Sequence, residues 1–288
     1  MFYKYNSFVL SFYLSIWLQW RRSVRLSVLL SEVPASAAAI CFWFFFLLTP
    51  ALQAFRQLTI WYGSRNILNN TAAKTLLVCA DSDAEKSKRA CYIGTDNVAA
   101  GKQAAELLKA ALPQGGKIIL FVGYANAQNT KERIQGIQNG LAGANIQIMD
   151  TLADGAKSVL ALNNAQDALA KYPDLAGMVG IYGYHGPAIL TAVRGAGKAG
   201  RVKIVCFDDE SATLAGIAAG DIYGTLVQKP LEIGWQTIVR MDKYLRGDKT
   251  QLAGGKILIT SRPVTKDEVG EFQAGQRGLL SHLQDERP

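Results

Sequence analysis

From Lys74 onward, short runs of β-branched and apolar residues alternate with helix-length amphipathic stretches, and this rhythm predicts a parallel sheet covered by helices. Parallel neighbours need a crossover that carries the chain back to the same end of the sheet, and a helix does so with its own backbone hydrogen bonds satisfied. Strands are expected at Thr75 to Cys79, Lys117 to Val122, Ile146 to Met149, Gly177 to Tyr182, Val202 to Phe207 and Ile222 to Val227. These are apolar runs of the kind a strand buried on both faces requires. Helices are expected over Asn97 to Leu112, over Thr130 to Leu141 with Ile134, Ile137 and Leu141 at helical spacing, and over Ser158 to Lys171, which ends before Tyr172 and Pro173. Pro187 opens the next helix, in the first turn, where a missing N–H leaves no bond unmade.

The segment before Lys74 has another character. Trp17, Trp20, Trp43 and Trp61, four of the five tryptophans, lie in it, while Gly63 is the only glycine before Gly94. The formal net charge of +8 does not indicate nucleic acid, because Lys4, Arg21, Arg22 and Arg25 precede the first acidic residue, Glu32, and sit beside apolar runs. That is the pattern of membrane-targeting segments. Ala37 to Leu48 reads as the apolar core of a signal peptide, the arginines as its positive region and Ala51 to Ala54 as an imperfect cleavage site. A retained membrane-contacting segment and an aberrant upstream sequence are the other two readings.

Chemistry-bearing motifs are sparse. Cys41, Cys79, Cys91 and Cys206 form no CxxC pair, and His185 and His282 are the only histidines, so neither a zinc site nor a dithiol motif is expected. A Cys79 to Cys91 bridge stays open for an oxidising compartment. GxGxxG, the P-loop pattern, GxSxG and HExxH are all missing, so neither an enzyme nor a cofactor is expected.

Six segments in fixed order carry a family resemblance: Asp81 to Ala84, Tyr92 to Asn97, Asn129 to Gly136, Tyr172 to Ala176, Phe207 to Asp209 and Leu226 to Pro230. Together they resemble the ribose-type periplasmic sugar-binding proteins, across about Lys74 to Thr265, roughly two-thirds of the chain. The resemblance implies a periplasmic-binding-protein-like α/β fold: two parallel-sheet lobes joined by three crossings, with a sugar held in the cleft at the strand C-terminal ends. The crossings are expected near Asp96 and Asn97, near Gln228, and near Lys256 to Thr260.

On this reading residues 74–96 and 229–255 form part of the first lobe, 97–228 and 256–266 the second lobe, and 267–288 a tail. Residues 1–73 are an atypical apolar and basic segment outside the fold, and their lack of βαβ rhythm leaves the first lobe incomplete, its sheet edge and helix faces uncovered.

Sugar recognition requires charged or amide groups for paired bonds to hydroxyls, and a flat apolar surface for the ring. By resemblance the ligand-binding candidates are Asp81, Thr95, Arg133, Tyr182, Tyr184, Asp208 and Gln228, with His185 and the region of Asp154 and Gly155 as weaker positions. As alternatives, Asp208 caps the helix starting near Ser211, Arg133 is a solvated helix charge and the tyrosines pack on the lobe surface. The implied role is the substrate-binding component of a carbohydrate ABC importer, in the periplasm or cell envelope, with a monosaccharide or small polyol as ligand, a permease of the inner membrane as partner and no nucleic acid. A truncated, non-binding or membrane-tethered remnant is the alternative. A sugar-sensing transcription regulator is a weaker one, because residues 1–73 are too apolar and aromatic for a helix-turn-helix.

Overall fold

The computed structural model describes residues 64–276, so the signal-like and membrane-tether readings of residues 1–63 lie outside the described residues, whereas residues 64–73, expected outside the fold, include a helix that buries Leu68 and whose Asn69 accepts the Lys88 N–H at 2.7 Å. In chain order the elements begin α1 (Ser64–Ala72), β1 (Val78–Ala80), β2 (Cys91–Thr95), α2 (Asn97–Ala111), β3 (Gly116–Val122), α3 (Gln128–Gly140) and β4 (Ile146–Ala153). They continue α4 (Ser158–Lys171), β5 (Leu175–Gly180), α5 (His185–Gly195), β6 (Lys203–Phe207), α6 (Ser211–Ala219) and β7 (Gly224–Val227). Then come α7 (Pro230–Leu245), a 3-10 turn (Lys249–Leu252), β8 (Lys256–Ile259) and β9 (Arg262–Thr265), and residues 269–276 are helical.

Two sheets result. A three-stranded sheet runs β1-β2-β8, all parallel, and a six-stranded sheet runs β4-β3-β5-β6-β7-β9, in which β9 pairs antiparallel with β7. The chain passes between the sheets after β2 at Asp96, after β7 at Gln228, and between β8 and β9 at residues 260–261. Asp96 makes the first passage abrupt: its side chain accepts the N–H of Ala99 at 2.9 Å and caps α2.

The larger sheet is buried on both faces. On one side Ile119, Phe121, Met178, Ile204 and Cys206 pack with α4, α5 and α6; on the other Ile118, Leu120, Val179, Val205 and Phe207 pack with α2 and α3. Period-two alternation therefore sends successive apolar residues of one strand into different cores, which is why these strands read as unbroken apolar runs. Helices α2 and α3 meet through Gly101 and Gly136, where a Cβ on either would fall inside contact distance of the other helix's backbone.

The smaller sheet departs from the sequence expectation in two places. Lys256–Ile259, assigned on sequence to the larger lobe, pairs instead with β2, Ile257 opposite Ile93. Ile257 and Ile259 join Cys91, Ile93 and Ile233 of α7 in one apolar cluster, so this pairing buries them. The first strand begins at Val78 rather than Thr75.

The register also removes the Cys79 to Cys91 bridge. Val78 stands opposite Cys91, and Cys79 opposite Tyr92, so the two cysteines lie on opposite faces of the sheet. Helix α7 buries Ile233 against the cluster, while Leu231, Trp235, Ile238 and Leu245 line an exposed face.

Candidate functional site

Five strands end toward one region, and a polar group stands at each end or within two residues of it. After β7 comes Gln228, after β6 Asp208 and after β1 Asp81; Thr95 closes β2, and Tyr182 lies just past β5. Thr95 Oγ1 donates to Gln228 Oε1 at 2.7 Å, and Gln228 Nε2 donates to Asp208 Oδ1 at 2.6 Å. This chain of bonds ties the first crossing to the second and ends on a carboxylate.

Asp208 and Asp81 share a feature invisible in a linear reading. Both hold left-handed backbone, at φ 69° and 66°, although neither is glycine. Such backbone costs roughly 1–3 kcal/mol for a non-glycine residue and persists where surrounding bonds over-determine it. At Asp208 these bonds are its N–H to the Leu226 carbonyl (2.8 Å) and Thr225 Oγ1 to its own carbonyl (2.7 Å). The left-handed turn makes Asp208 the end of the strand and not a cap of α6, whose cap position is Glu210 and makes no side-chain bond.

Arg133 is a different residue from the open fork expected on sequence. It is 1% exposed, Nε donates to Asn97 Oδ1 at 2.9 Å, one terminal nitrogen donates to the Ile181 carbonyl at 2.7 Å, and the guanidinium lies 4.6 Å from the Phe207 ring centroid. It therefore locks the residue just past β5 and the end of β6 against α2 and α3. Asn97 in turn donates to Tyr92 Oη and to Glu132. Tyr92 Oη reaches the carbonyls of Asp81 (3.1 Å) and Thr95 (3.2 Å), which connects Asp81 to the network. Burial holds the Tyr92 phenol far above its ordinary range, so it stays a donor. Gly94, two residues on along the same face, makes room for that ring: a Cβ there would collide with it.

Tyr182 and Tyr184 stand at the end of β5 with ring centroids 6.2 Å apart. Tyr182 Oη shares a 2.7 Å bond with Thr130 Oγ1, and Tyr184 Oη donates to Asp154 Oδ1 at 2.6 Å. Gly183 between them abuts Asp208, since a Cβ there would lie 3.2 Å from Oδ2. The tyrosines, Asp208, Gln228 and Thr95 thus form one polar and aromatic surface, with Arg133 beneath it. No group of three or more His, Cys, Asp or Glu side chains suited to a metal occurs among the described residues.

Residues 65–249 match the family described as a periplasmic binding protein domain. The chain belongs to the periplasmic binding protein family. Relatives of this periplasmic binding protein include the ribose import binding protein of Salmonella typhimurium, 28% identical over 179 residues that cover 62% of this chain and 60% of that one. A solute-binding protein of an ABC transporter from Burkholderia graminis, solved with D-arabinose, is 28% identical with a TM-score of 0.65, over 71% of this chain and 72% of that one. The glucose-galactose binding protein GanP of Geobacillus stearothermophilus, 22% identical, shares the fold with a TM-score of 0.68 over 72% and 73% of the two chains. The chain spans about 60% of the length of the curated relatives it matches.

Sequence reasoning passed over several residues that hold this surface of the periplasmic binding protein in place. Asn97 was read as part of the first crossing and the start of a helix, Thr130 as the start of a helix, and Asn129 and Tyr92 only as parts of matching segments; their signal was position within the quoted motifs, not residue type. The buried pair of Asp83 and Arg89 also had no linear signal. Arg89 Nε donates to Asp83, a second nitrogen reaches Asp83 Oδ2 at 2.6 Å, and the third donates to the Gly255 carbonyl at 2.7 Å, pinning the loop before β2 to the start of β8. Thr95→Val is expected to lower stability by about 1 kcal/mol, some 2–4 °C in melting temperature, because Gln228 Oε1 loses its donor while the side-chain volume is kept. Thermal melts followed by circular dichroism check this, and an unchanged melt would mean that water replaces the threonine at no cost.

Proposed function

We propose that this protein binds a monosaccharide or similar small polyol in the cleft between a first lobe on the three-stranded sheet and a second lobe on the six-stranded sheet, as the substrate-binding component of a carbohydrate ABC importer. The role is capture and presentation, not catalysis. The lobe division follows residues 74–96 and 229–259 on one side and 97–228 and 262–266 on the other. The observation that carries the reading is the bonded series Thr95, Gln228 and Asp208, which spans two crossings and leaves a carboxylate oxygen beside the tyrosine wall.

Chemically the surface suits a hydroxylated ring. Asp208 accepts from hydroxyls, Gln228 both donates and accepts, the second terminal nitrogen of Arg133 offers donors, and the tyrosine faces offer flat apolar area for C–H groups. Asp81 supplies a first-lobe carboxylate. Relatives named for ribose, fructose and allose, and solved neighbours holding D-arabinose and tagatose, support a small sugar as the ligand class. A permease of the inner membrane is the implied partner and the periplasm the implied compartment.

A thermal-shift panel of pentoses and hexoses on the full chain tests the reading. At about 100 times its dissociation constant a ligand adds about 2.7 kcal/mol to stability, or a rise of roughly 5–10 °C for a unit of this size. Asp208→Asn is expected to erase most of that rise while leaving the unliganded melt within a degree or two, because the amide keeps the bond from Gln228 but loses charge-assisted acceptance. A non-binding remnant is a second reading, favoured by the exposed Leu231, Trp235, Ile238 and Leu245 face of α7. No shift with any sugar would leave that reading standing and sink the first.

A further inference from the structure

Behind the two tyrosines lies a buried cluster that the binding reading does not use. Asp154 follows β4, is 3% exposed, and gathers three donors: Tyr184 Oη onto Oδ1 at 2.6 Å, the Ala156 N–H onto Oδ1 at 2.9 Å, and His185 Nε2 onto Oδ2 at 2.7 Å. The tautomer of His185 follows from its other ring nitrogen. Nδ1 accepts the N–H of Tyr182 at 2.9 Å, so the ring proton sits on Nε2 and faces Asp154. His185 is wholly buried, its ring 4.3 Å from that of Tyr184 and stacked near that of Tyr182.

The direction of the Tyr184 bond is therefore determined. Both Asp154 oxygens already face donors, the Ala156 N–H and His185 Nε2–H, so the carboxylate accepts at this point, the phenol proton points inward to it, and what remains on the phenol oxygen is a lone pair. We propose that the buried Asp154–His185 pair is a positioning device that fixes Tyr184 as a hydrogen-bond acceptor toward the cleft, so that the ligand must present a hydroxyl donor at that point. This rests on the cleft reading above and adds a polarity to it. His185 and Asp154 act through Tyr184 and touch no ligand themselves.

The neighbouring geometry sharpens the requirement. Gly183 brings the backbone beside Tyr184 against Asp208, whereas the Tyr184 phenol oxygen points the other way, to Asp154 beyond β4 and past Gly123 at the end of β3. Gly123 permits the arrangement, because a Cβ there would overlap the Tyr182 ring and stand 2.9 Å from Tyr184 Oη. Burial and the bond to Asp154 both raise the Tyr184 phenol far above its ordinary range, which keeps its proton in place at any working pH. A ligand with a hydroxyl donor at that point fits the phenol oxygen; one with a fluorine in its place keeps its size but has no proton to give.

The test uses the full chain and isothermal titration with D-ribose, D-arabinose, D-galactose and D-fructose, followed by the monofluoro analogues of the tightest binder. In the wild-type protein, fluorine at the carbon facing Tyr184 is expected to weaken binding about tenfold. In Tyr184→Phe the parent sugar loses a similar factor and the fluorine penalty at that carbon disappears, while penalties at other carbons persist. In Asp154→Ala the phenol has no acceptor behind it and its proton is free to turn outward, so the penalty at that one carbon shrinks or reverses. If wild type binds and both variants keep the full set of penalties, or weaken every analogue by the same factor, the positioning role is wrong and the cleft reading stands. Absence of binding to all four sugars by the wild type overturns the cleft reading and this inference with it.

Discussion

Arg133→Met is expected to destabilise the protein by about 3 kcal/mol and to abolish sugar binding, although the substitution keeps most of the side chain's volume. The guanidinium is 1% exposed and serves two buried acceptors, Asn97 Oδ1 and the Ile181 carbonyl. Methionine leaves both without a donor, and each buried acceptor stranded in this way costs about 1–3 kcal/mol. The cation–π contact with Phe207 is lost as well. Lysine is not a rescue, because its single ammonium on a flexible stem cannot face Asn97 and the Ile181 carbonyl in the fixed plane of a guanidinium.

Urea denaturation measures the loss. The double variant Arg133→Met with Asn97→Ala is expected to be less destabilised than the sum of the single variants, since removing the stranded Asn97 acceptor recovers part of the penalty. A midpoint for Arg133→Met equal to wild type would show that the buried guanidinium contributes nothing net.

Gly136→Val is expected to lose more than 3 kcal/mol, and even Gly136→Ala to be destabilised by about 1–2 kcal/mol. Two effects compete at Gly136. Replacing glycine by alanine inside a helix gains about 1 kcal/mol of propensity. Against this, a Cβ at Gly136 would stand 2.8 Å from Gly101 Cα and 2.9 Å from Lys102 N, and nearer still to the Val98 carbonyl oxygen. Those are backbone atoms, which no rotamer change moves aside, so α2 and α3 must separate and open the core between Ala104, Ala105, Leu108 and Ile137. Packing wins because separation exposes many contacts at once, whereas propensity acts at one residue. Gly195→Ala is the control: nothing lies within 4 Å of a Cβ there, and its melt is expected to match or exceed wild type. Equal melts for Gly136→Ala and Gly195→Ala would refute the close-packing account.

How legible these features were differs by residue. The strand at Lys117 to Val122 was readable because both of its faces are buried and its apolar run is unbroken. Strand β2 is equally buried but only five residues long, with Tyr92 and Gly94 interrupting the apolar pattern, so it carries no such signal. Strand β8 reads as half exposed, and its partner depends on β2, more than 150 positions away in the chain. Helix α7 was missed because a single residue, Ile233, is fully buried on it.

Among the site residues, Thr95, Asp208 and Gln228 were named from motif positions and are bonded in series. Arg133 was named from the same frame, yet its burial reverses the expected geometry from an open fork to a clamp. His185, ranked below its tyrosine neighbours on sequence, is held at both ring nitrogens because Asp154 lies opposite it at the end of another strand.

By itself the sequence determined the alternation of strands and helices, the parallel character of the main sheet and the family, because apolar periodicity and ordered motifs are local properties that survive in a string of letters. Only the tertiary structure decided which side chains are donors and which acceptors, which sheet receives Lys256–Ile259, and that Asp81 and Asp208 turn through left-handed backbone. Those outcomes depend on groups brought together by crossings and register, and a hydroxyl, phenol or imidazole, which can donate or accept, takes its direction from the partner across the gap.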